Sequence, residues 1–277
     1  MKFLLYSDKN YESLIECFLI SRKYAGVEDI PVIYYSVGFT SNLDYNNLEI
    51  RPWKVDNLYP KFNFYKPSII LDALKYDEHI CYMDSDVLLS KNFDKDLVIN
   101  KDYNFPITSS GPQEYPYIWI LLPNGETITR DETTLMKYYG VEKRTCDYVW
   151  SSMISCNRSC IDFLEEWDSL VSNKYFQKNH EIYFPFQDET PLNVLLWKRG
   201  VEYNLKNRFF NTASYDSFES VETRKIKSIE RTWNFEIINM DPKIYEMCED
   251  PFSVLFYHGF KYGEDLNRTI SWMKSKI

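Results

Sequence analysis

Positive charge and histidine are both scarce in this chain. Its 277 residues include 32 Lys and Arg against 41 Asp and Glu, a formal net charge of −9, and only three His. A nucleic-acid-binding surface needs clustered basic residues, so this balance argues against a general nucleic-acid-binding protein. The same deficit gives no reason to expect attraction to anionic lipid.

Cysteine is present but shows no zinc-ligand spacing. The six cysteines are scattered in mostly apolar surroundings, and Cys156 and Cys160 lie four positions apart. With only three histidines available, this arrangement matches no zinc motif. We interpret the cysteines as buried free thiols in a reducing compartment.

Long apolar runs are also missing. No segment approaches the roughly 18 apolar residues of a membrane-spanning helix. The opening Met-Lys-Phe-Leu-Leu-Tyr-Ser-Asp has too short an apolar run for a signal peptide and is typical of a first strand. We therefore expect a soluble cytoplasmic protein without a transmembrane segment, and we leave peripheral membrane contact and oligomeric state open.

The chain does have an ample supply of core residues, with 44% hydrophobic and 17% aromatic side chains. Strand-like and helix-like segments alternate through its first part. Strands are predicted at 3–6, 31–37 and 48–53, and helices at 10–23 and 67–76. This alternation predicts an α/β fold with a mostly parallel, Rossmann-like sheet flanked by helices.

The later part of the chain is less regular. Further strands are predicted at 104–109, 150–156 and 253–258, and further helices at 160–171, 188–198 and 267–277. Residues 111–133 are rich in proline, aromatic and turn residues, which predicts a loop or small hairpin over a site. No repeat or low-complexity linker interrupts the sequence, so we expect one domain over residues 1–277.

The most informative stretch is residues 79–89, His-Ile-Cys-Tyr-Met-Asp-Ser-Asp-Val-Leu-Leu. A short apolar strand ends in two acidic residues, Asp84 and Asp86. If the strand continues to Asp86, both carboxylates face one side at its carboxyl end, where ligands bind in open α/β sheets. Two carboxylates there suit Mg²⁺ or Mn²⁺ and, through the metal, a diphosphate. The structural alternative is that the two aspartates open a turn.

A phosphatase is another functional alternative for this stretch. The run from Asp84 to Leu88 is similar to the nucleophile loop of haloacid-dehalogenase-type phosphatases, D-x-D-x-[T/V] after an apolar strand. Leu88 departs from that pattern. The loop also usually follows the first strand in that family, whereas several predicted elements come before it here.

Three other stretches hold polar residues suited to such a site. Lys66 opens the helix that leads into this strand, and it either contacts a phosphate or a carboxylate or is simply solvated. Residues 187–193, Gln-Asp-Glu-Thr-Pro-Leu-Asn, set Asp188 and Glu189 at a helix N-terminus, where Asp188 is also a suitable N-cap. A late strand ends in His-Gly-Phe-Lys at 258–261, whose imidazole suits a metal and whose lysine suits a phosphate.

These motifs, in this order, resemble the GT-A nucleotide-diphospho-sugar glycosyltransferases over nearly the whole chain. The pattern is similar to the retaining families that include glycogenin and bacterial lipopolysaccharide galactosyltransferases. At residues 188–193 it is nearer to the blood-group-type α-1,3 transferases, which have D-E-S-x-L-N. Glycogenin relatives usually show His-x-x-Gly-x-x-Lys-Pro-Trp, whereas residues 258–261 are shorter and lack Pro-Trp.

The resemblance implies a role for particular residues. Asp84, Asp86 and His258 would bind Mn²⁺ or Mg²⁺, and Glu189 or Asp188 would be catalytic. The implied donor-binding residues are Tyr6, Ser7, Asp8, Lys66, Asp84, Ser85, Gly259 and Lys261. Residues 1–110 would form a nucleotide-binding half, and residues 111–277 an acceptor-side half that returns to the metal site.

The implied reaction is metal-dependent transfer of a sugar, with a UDP-sugar as the expected donor, to a glycan or glycolipid acceptor, with retention. In a retaining reaction Glu189 would stabilise or trap the anomeric carbon. In an inverting reaction Asp188 or Glu189 would be the general base on the acceptor hydroxyl. Alternatives from other classes are a D-x-D phosphatase and a non-catalytic module that binds nucleotide sugars.

Overall fold

A computed structural model gives the fold for most of the chain. The residues it describes are 1–55, 62–89, 93–99, 103–110, 118–121, 127–202, 210–212, 256–258, 271, 274–275 and 277. For residues 97, 109–110, 118–121, 127–130, 210–212 and 256–258 the description is of the backbone alone.

Within these residues, strands and helices alternate through much of the chain. The strands are β1 (Lys2–Ser7), β2 (Val32–Val37), β3 (Leu48–Trp53), β4 (His79–Met83), β5 (Val87–Leu89), β6 (Ile107–Ser110), β7 (Ile118–Leu121), β8 (Thr127–Arg130), β9 (Val149–Asn157), β10 (Phe210–Thr212) and β11 (Phe256–His258). The helices are α1 (Glu12–Tyr24), α2 (Lys66–Tyr76), α3 (Thr133–Tyr139), α4 (Ile161–Ser172), α5 (Lys174–Lys178), α6 (His180–Tyr183) and α7 (Glu189–Lys198).

A mixed, mostly parallel six-stranded sheet flanked by helices confirms the predicted α/β class. Its strand order is β3-β2-β1-β4-β9-β6. β1 pairs with β2 and β2 with β3 in parallel, with Val32 opposite both Phe3 and Leu48. β6 instead runs antiparallel to β9. β2 is buried along its whole length, which explains why its apolar residues do not alternate with exposed polar ones.

Two smaller sheets accompany the central one. β10, β11 and β5 form a three-stranded sheet in which β11 runs antiparallel to β5. β7 and β8 form an antiparallel pair, with Ile118 opposite Arg130. This pair falls within residues 111–133, where a loop or small hairpin was predicted. That the hairpin covers a site stays a prediction.

The longer helices were predicted from apolar spacing, whereas three short ones were missed. α2, for example, carries Pro67 in its first turn and buries Ile69 and Ala73. α3, α5 and α6 have seven, five and four residues, too few for an apolar face to repeat. The helix predicted at 267–277 lies mostly outside the described residues.

The chain divides into two compact units. The first consists of Met1–Lys54, Tyr82–Val98 and Asn207–Ile277, and the second of Val55–Cys81 and Ile99–Lys206. In the first unit, the rings of Phe3 and Phe18 pack edge to face with centroids 5.4 Å apart. In the second, Trp167 and Phe163 are fully buried on α4. The single domain with halves meeting near residue 110 stays a prediction.

No described helix has the length and apolar character needed to cross a membrane. The free thiols expected from the sequence are confirmed for the five described cysteines, of which only Cys146 is partly exposed. Burial raises the pKa of the Cys146 thiol to about 11. Cys248 lies outside the described residues.

Candidate functional site

The acidic pair Asp84 and Asp86 lies in a turn. β4 ends at Met83, and the backbone N–H of Val87 donates to the carbonyl of Asp84 at 3.1 Å, which closes the turn before β5. The strand therefore does not continue to Asp86, and the prediction that both carboxylates follow from an extended strand is wrong. The backbone forms the turn that was given as the structural alternative. Asp84 is partly exposed at this turn, whereas Asp86 is buried.

The acidic turn follows β4 at a point where the strand order reverses. The chain proceeds from β1 outward to β3 and then adds β4 on the other side of β1. The rings of Tyr6, near the end of β1, and Tyr82, near the end of β4, have centroids 5.6 Å apart. The Tyr82 hydroxyl also donates to Asp84 Oδ1 at 2.5 Å. In open α/β sheets such a switch point, at the carboxyl ends of the strands, is where ligands bind.

The end of β1 is built from polar residues that already have local partners. The hydroxyls of Ser7 and Tyr34 are 2.7 Å apart in the buried interior. Asp8 Oδ1 accepts the backbone N–H of Asn10 at 2.9 Å and so caps the short 3₁₀ turn that follows β1. Donor contacts by Tyr6, Ser7 and Asp8 stay predictions.

β11 passes beside the acidic turn. Its backbone register sets His258 opposite Val87, the residue directly after Asp86. Two carboxylates and an imidazole are a donor set that suits Mn²⁺ or Mg²⁺, so these residue types fit the expected metal. The described side chains form no group of three His, Cys, Asp or Glu arranged to hold a metal, but the His258 side chain is not among them. Gly259 and Lys261 lie outside the described residues.

A second cluster of charged residues lies wholly within the second unit, around Lys66. Lys66 is only 2% exposed, and its Nζ lies 2.7 Å from Asp188 Oδ2. Nζ also donates to the hydroxyl and the carbonyl of Ser151, at 2.8 and 3.0 Å. The solvated alternative for Lys66 is therefore wrong, and its contact with a carboxylate is confirmed. A contact with the donor phosphate stays a prediction.

Ser151 on β9 joins the two neighbouring carboxylates. Its hydroxyl donates to Asp188 Oδ2 at 2.7 Å, and its backbone N–H donates to Glu189 Oε2 at 2.9 Å. Asp188 stands at the N-terminal boundary of α7, but its side chain makes no capping hydrogen bond. Asp188 is therefore the N-cap residue of α7 by position, as predicted, but its side chain does not cap the helix, because the ion pair with Lys66 takes its carboxylate into the interior.

The two carboxylates are adjacent in sequence but differ in environment. Gln187 has a left-handed backbone, φ 54°, which turns the chain sharply just before α7. Its side-chain oxygen accepts the Asn63 amide at 3.0 Å. After this turn Asp188 is 2% exposed, whereas Glu189 is partly exposed. Glu189 is thus the more accessible carboxylate.

Asn193, one turn after Glu189, fastens α7 to the start of β9. Its Oδ1 accepts the backbone N–H of Val149, and its Nδ2 donates to the Val149 carbonyl, both at 2.8 Å. Nδ2 also donates to the Glu189 carbonyl at 2.9 Å. The fully buried amide therefore satisfies both polar groups of one strand residue and holds the first turn of α7 in place.

We expect Asn193→Ala to lower the free energy of unfolding by about 2–4 kcal/mol, because it leaves two buried backbone groups of Val149 unsatisfied. Urea denaturation measures this loss. Asn179→Ala is the matched control, since the Asn179 amide makes a surface bond to the Tyr175 carbonyl. The control should lose about 1 kcal/mol or less. Equal losses in both variants would contradict the fastening role.

Ser151 was not predicted as a site residue. It forms hydrogen bonds with three residues that were, Lys66, Asp188 and Glu189. Ser151 was included only in a predicted strand. The one sequence signal was a pair of adjacent serines, 151 and 152, in a predicted strand that is apolar apart from these two and Ser155. Such a pair indicates buried polar groups that need partners, but it does not name them.

Protein families and curated sequences give no further guide to this site. No protein-family model matches the chain, and no curated protein sequence matches it. The residues of the acidic turn and of the Lys66 cluster are therefore the basis for assigning a function.

Proposed function

We propose that this protein is a metal-dependent glycosyltransferase that moves a sugar from a nucleoside-diphosphate donor, with a UDP-sugar as first choice, to a hydroxyl of a glycan or glycolipid. The observation that supports it most is the acidic turn Asp84–Asp86 after β4, at the point where the strand order reverses. The turn carries hard oxygen ligands at the edge where α/β proteins bind nucleotides. A reducing, cytoplasmic location belongs to the same proposal and is supported by the five unbonded cysteines.

In this proposal Asp84, Asp86 and His258 hold Mn²⁺ or Mg²⁺. Such an ion, when bound, neutralises the charge that develops on the leaving diphosphate. The residues of the chain orient the donor: Tyr82 fixes one oxygen of Asp84, and the buried position of Asp86 limits its rotation.

We assign the reactive carboxylate to Glu189 and a supporting role to Asp188. Asp188 is 2% exposed and is paired with Lys66 at 2.7 Å in the protein interior, so its carboxylate is not accessible to a substrate. Glu189 is partly exposed, and its Oε2 is held by the Ser151 N–H. A retaining reaction uses this carboxylate on the anomeric carbon, and an inverting reaction uses it to accept the acceptor proton.

A thermal-shift series with nucleotides tests the proposal. UDP or GDP with Mn²⁺ should raise the Tm by several degrees, because a ligand at about 100 times its Kd stabilises the folded state by about 2.7 kcal/mol. The nucleotide alone should give a much smaller shift. Asp86→Asn should remove the metal-dependent part of the shift.

The control for that variant is Asp29→Asn, which neutralises an exposed aspartate in the loop between α1 and β2. It should keep the full shift. The proposal is wrong if no nucleotide shifts the Tm with either metal. It is also wrong if inorganic phosphate with Mg²⁺ stabilises the protein while nucleotides do not, which would favour the phosphatase.

A further inference from the structure

An exposed aromatic patch lies on the three short helices of the second unit. Tyr138 on α3 is 60% exposed, Tyr175 on α5 is 57% exposed and Ile182 on α6 is 59% exposed. Clusters of large apolar side chains with this much exposure are uncommon, and they mark interaction surfaces. We call Tyr138, Tyr175, Ile182 and Tyr183 the aromatic patch.

Ring contacts join the three tyrosines of the aromatic patch, and Ile182 directly precedes Tyr183 on α6. Tyr175 and Tyr183 have ring centroids 5.6 Å apart, and their hydroxyls are 3.0 Å from each other. Tyr138 lies 6.4 Å from Tyr183 by the same measure. The buried ring of Phe176 lies beneath all three, 5.0 Å from Tyr138 and from Tyr183 and 5.6 Å from Tyr175. The exposed rings therefore rest on a packed base rather than on a loop.

Three exposed lysines lie next to patch residues on the same short helices. Lys137 precedes Tyr138 on α3, and Lys174 and Lys178 flank Tyr175 on α5, where they lie on one side of the helix at i and i+4. All three are exposed, and none forms an ion pair with another described residue. The only exposed acidic residue on α3, α5 and α6 is Glu181. The patch is thus locally basic on a chain whose net charge is −9.

We infer that the aromatic patch with its three lysines docks on an anionic lipid surface. Tyrosine rings favour the headgroup region of a bilayer, and lysine side chains lay their apolar stems on the surface while the ammonium reaches the lipid phosphates. The acidic remainder of the chain is repelled by the same surface, so this face is turned toward the membrane.

Other occupants fit the patch less well. A second copy in a two-fold dimer would bring three lysines against three lysines, which is unfavourable. A glycan would stack on the tyrosine rings but would leave the exposed aliphatic Ile182 without a suitable partner.

Lipid binding by the aromatic patch does not depend on the proposed sugar transfer, so either proposal can be wrong while the other is right.

Vesicle co-sedimentation of the full chain tests this inference. At low salt the protein should sediment with vesicles of equal parts phosphatidylcholine and phosphatidylglycerol, and not with phosphatidylcholine alone. Replacing Lys137, Lys174 and Lys178 together by glutamine should weaken binding about a hundredfold, because each lysine near the surface contributes about a factor of five. Replacing Tyr138, Tyr175 and Ile182 by serine should weaken it about tenfold or more.

Matched controls lie outside the patch. Lys23, Lys54 and Lys95 are exposed lysines of the first unit, and their triple glutamine variant changes the net charge by the same amount. Tyr76→Ser removes an exposed tyrosine elsewhere on the second unit. Both controls should bind as the parent protein does, and circular dichroism should show that every variant is folded at the temperature of the assay.

Three outcomes would overturn the inference. One is absence of sedimentation with the anionic vesicles, and another is an equal loss of binding in the lysine control. The third is a change in sedimentation coefficient without lipid when the patch is altered, which would make the patch an interface between copies of the chain.

Discussion

Lys66→Met is expected to lower the free energy of unfolding by about 3–5 kcal/mol, because it leaves the carboxylate of Asp188 buried without its cation. Both side chains of the pair are 3% exposed, so water cannot replace the lost partner. Ser151 loses a donor to its hydroxyl and to its carbonyl in the same change. Urea denaturation and the Tm report the loss.

Two comparisons separate this ion pair from a general effect of removing a lysine. Lys75→Met breaks a surface pair with Asp72 on the same helix, and the loss should be about 0.5 kcal/mol or less. The double variant Lys66→Met with Asp188→Leu removes both charges and should recover most of the stability. If Lys66→Met and Lys75→Met lose equal stability, the buried pair does not have the role assigned to it.

Glu189→Ala is expected to reduce turnover of the nucleotide-sugar donor about a hundredfold to ten-thousandfold, the range in which a positioned catalytic carboxylate acts. The Tm should fall by only a few degrees, because a single backbone N–H, that of Ser151, loses its acceptor while the Ser151 hydroxyl keeps its bonds. Nucleotide affinity should be unchanged, since the nucleotide is assigned to the acidic turn. The measurement is release of nucleoside diphosphate.

The control for this variant is Glu165→Gln, which neutralises an exposed glutamate on α4. It should turn over the donor at the parent rate. Asp188→Asn serves as a second comparison, because it should lower stability and activity together. Near-normal turnover in Glu189→Ala would remove Glu189 from the reaction.

Most of the fold could be predicted from the sequence because its signals are local. β1 and β2 are mostly apolar segments, β3 alternates apolar and charged residues from Leu48 to Arg51, and α2 carries Pro67 in its first turn. α5 and α6 were missed for the opposite reason: Lys-Tyr-Phe-Gln-Lys and His-Glu-Ile-Tyr are too short to show a period.

The candidate site could be predicted only as a set of residue types. The sequence predicts that Asp84 and Asp86 follow a strand. It does not predict whether the two residues extend the strand or form a turn, which the structure shows by the hydrogen bond from the Val87 N–H to the Asp84 carbonyl. The pairing of Lys66 with Asp188 joins positions far apart in the chain and depends on tertiary packing. Ser151 has a role only because those two side chains meet at it.

Donor turnover is the most direct measurement of the proposed function. The purified chain is incubated with UDP- and GDP-sugars, with water or simple sugars as acceptors, in Mn²⁺ and then in excess chelator. We expect nucleoside diphosphate to be released only with the metal, and not by Asp86→Ala or Glu189→Ala. Metal-dependent release of phosphate from an aryl phosphate, with no turnover of any nucleotide sugar, would contradict a glycosyltransferase.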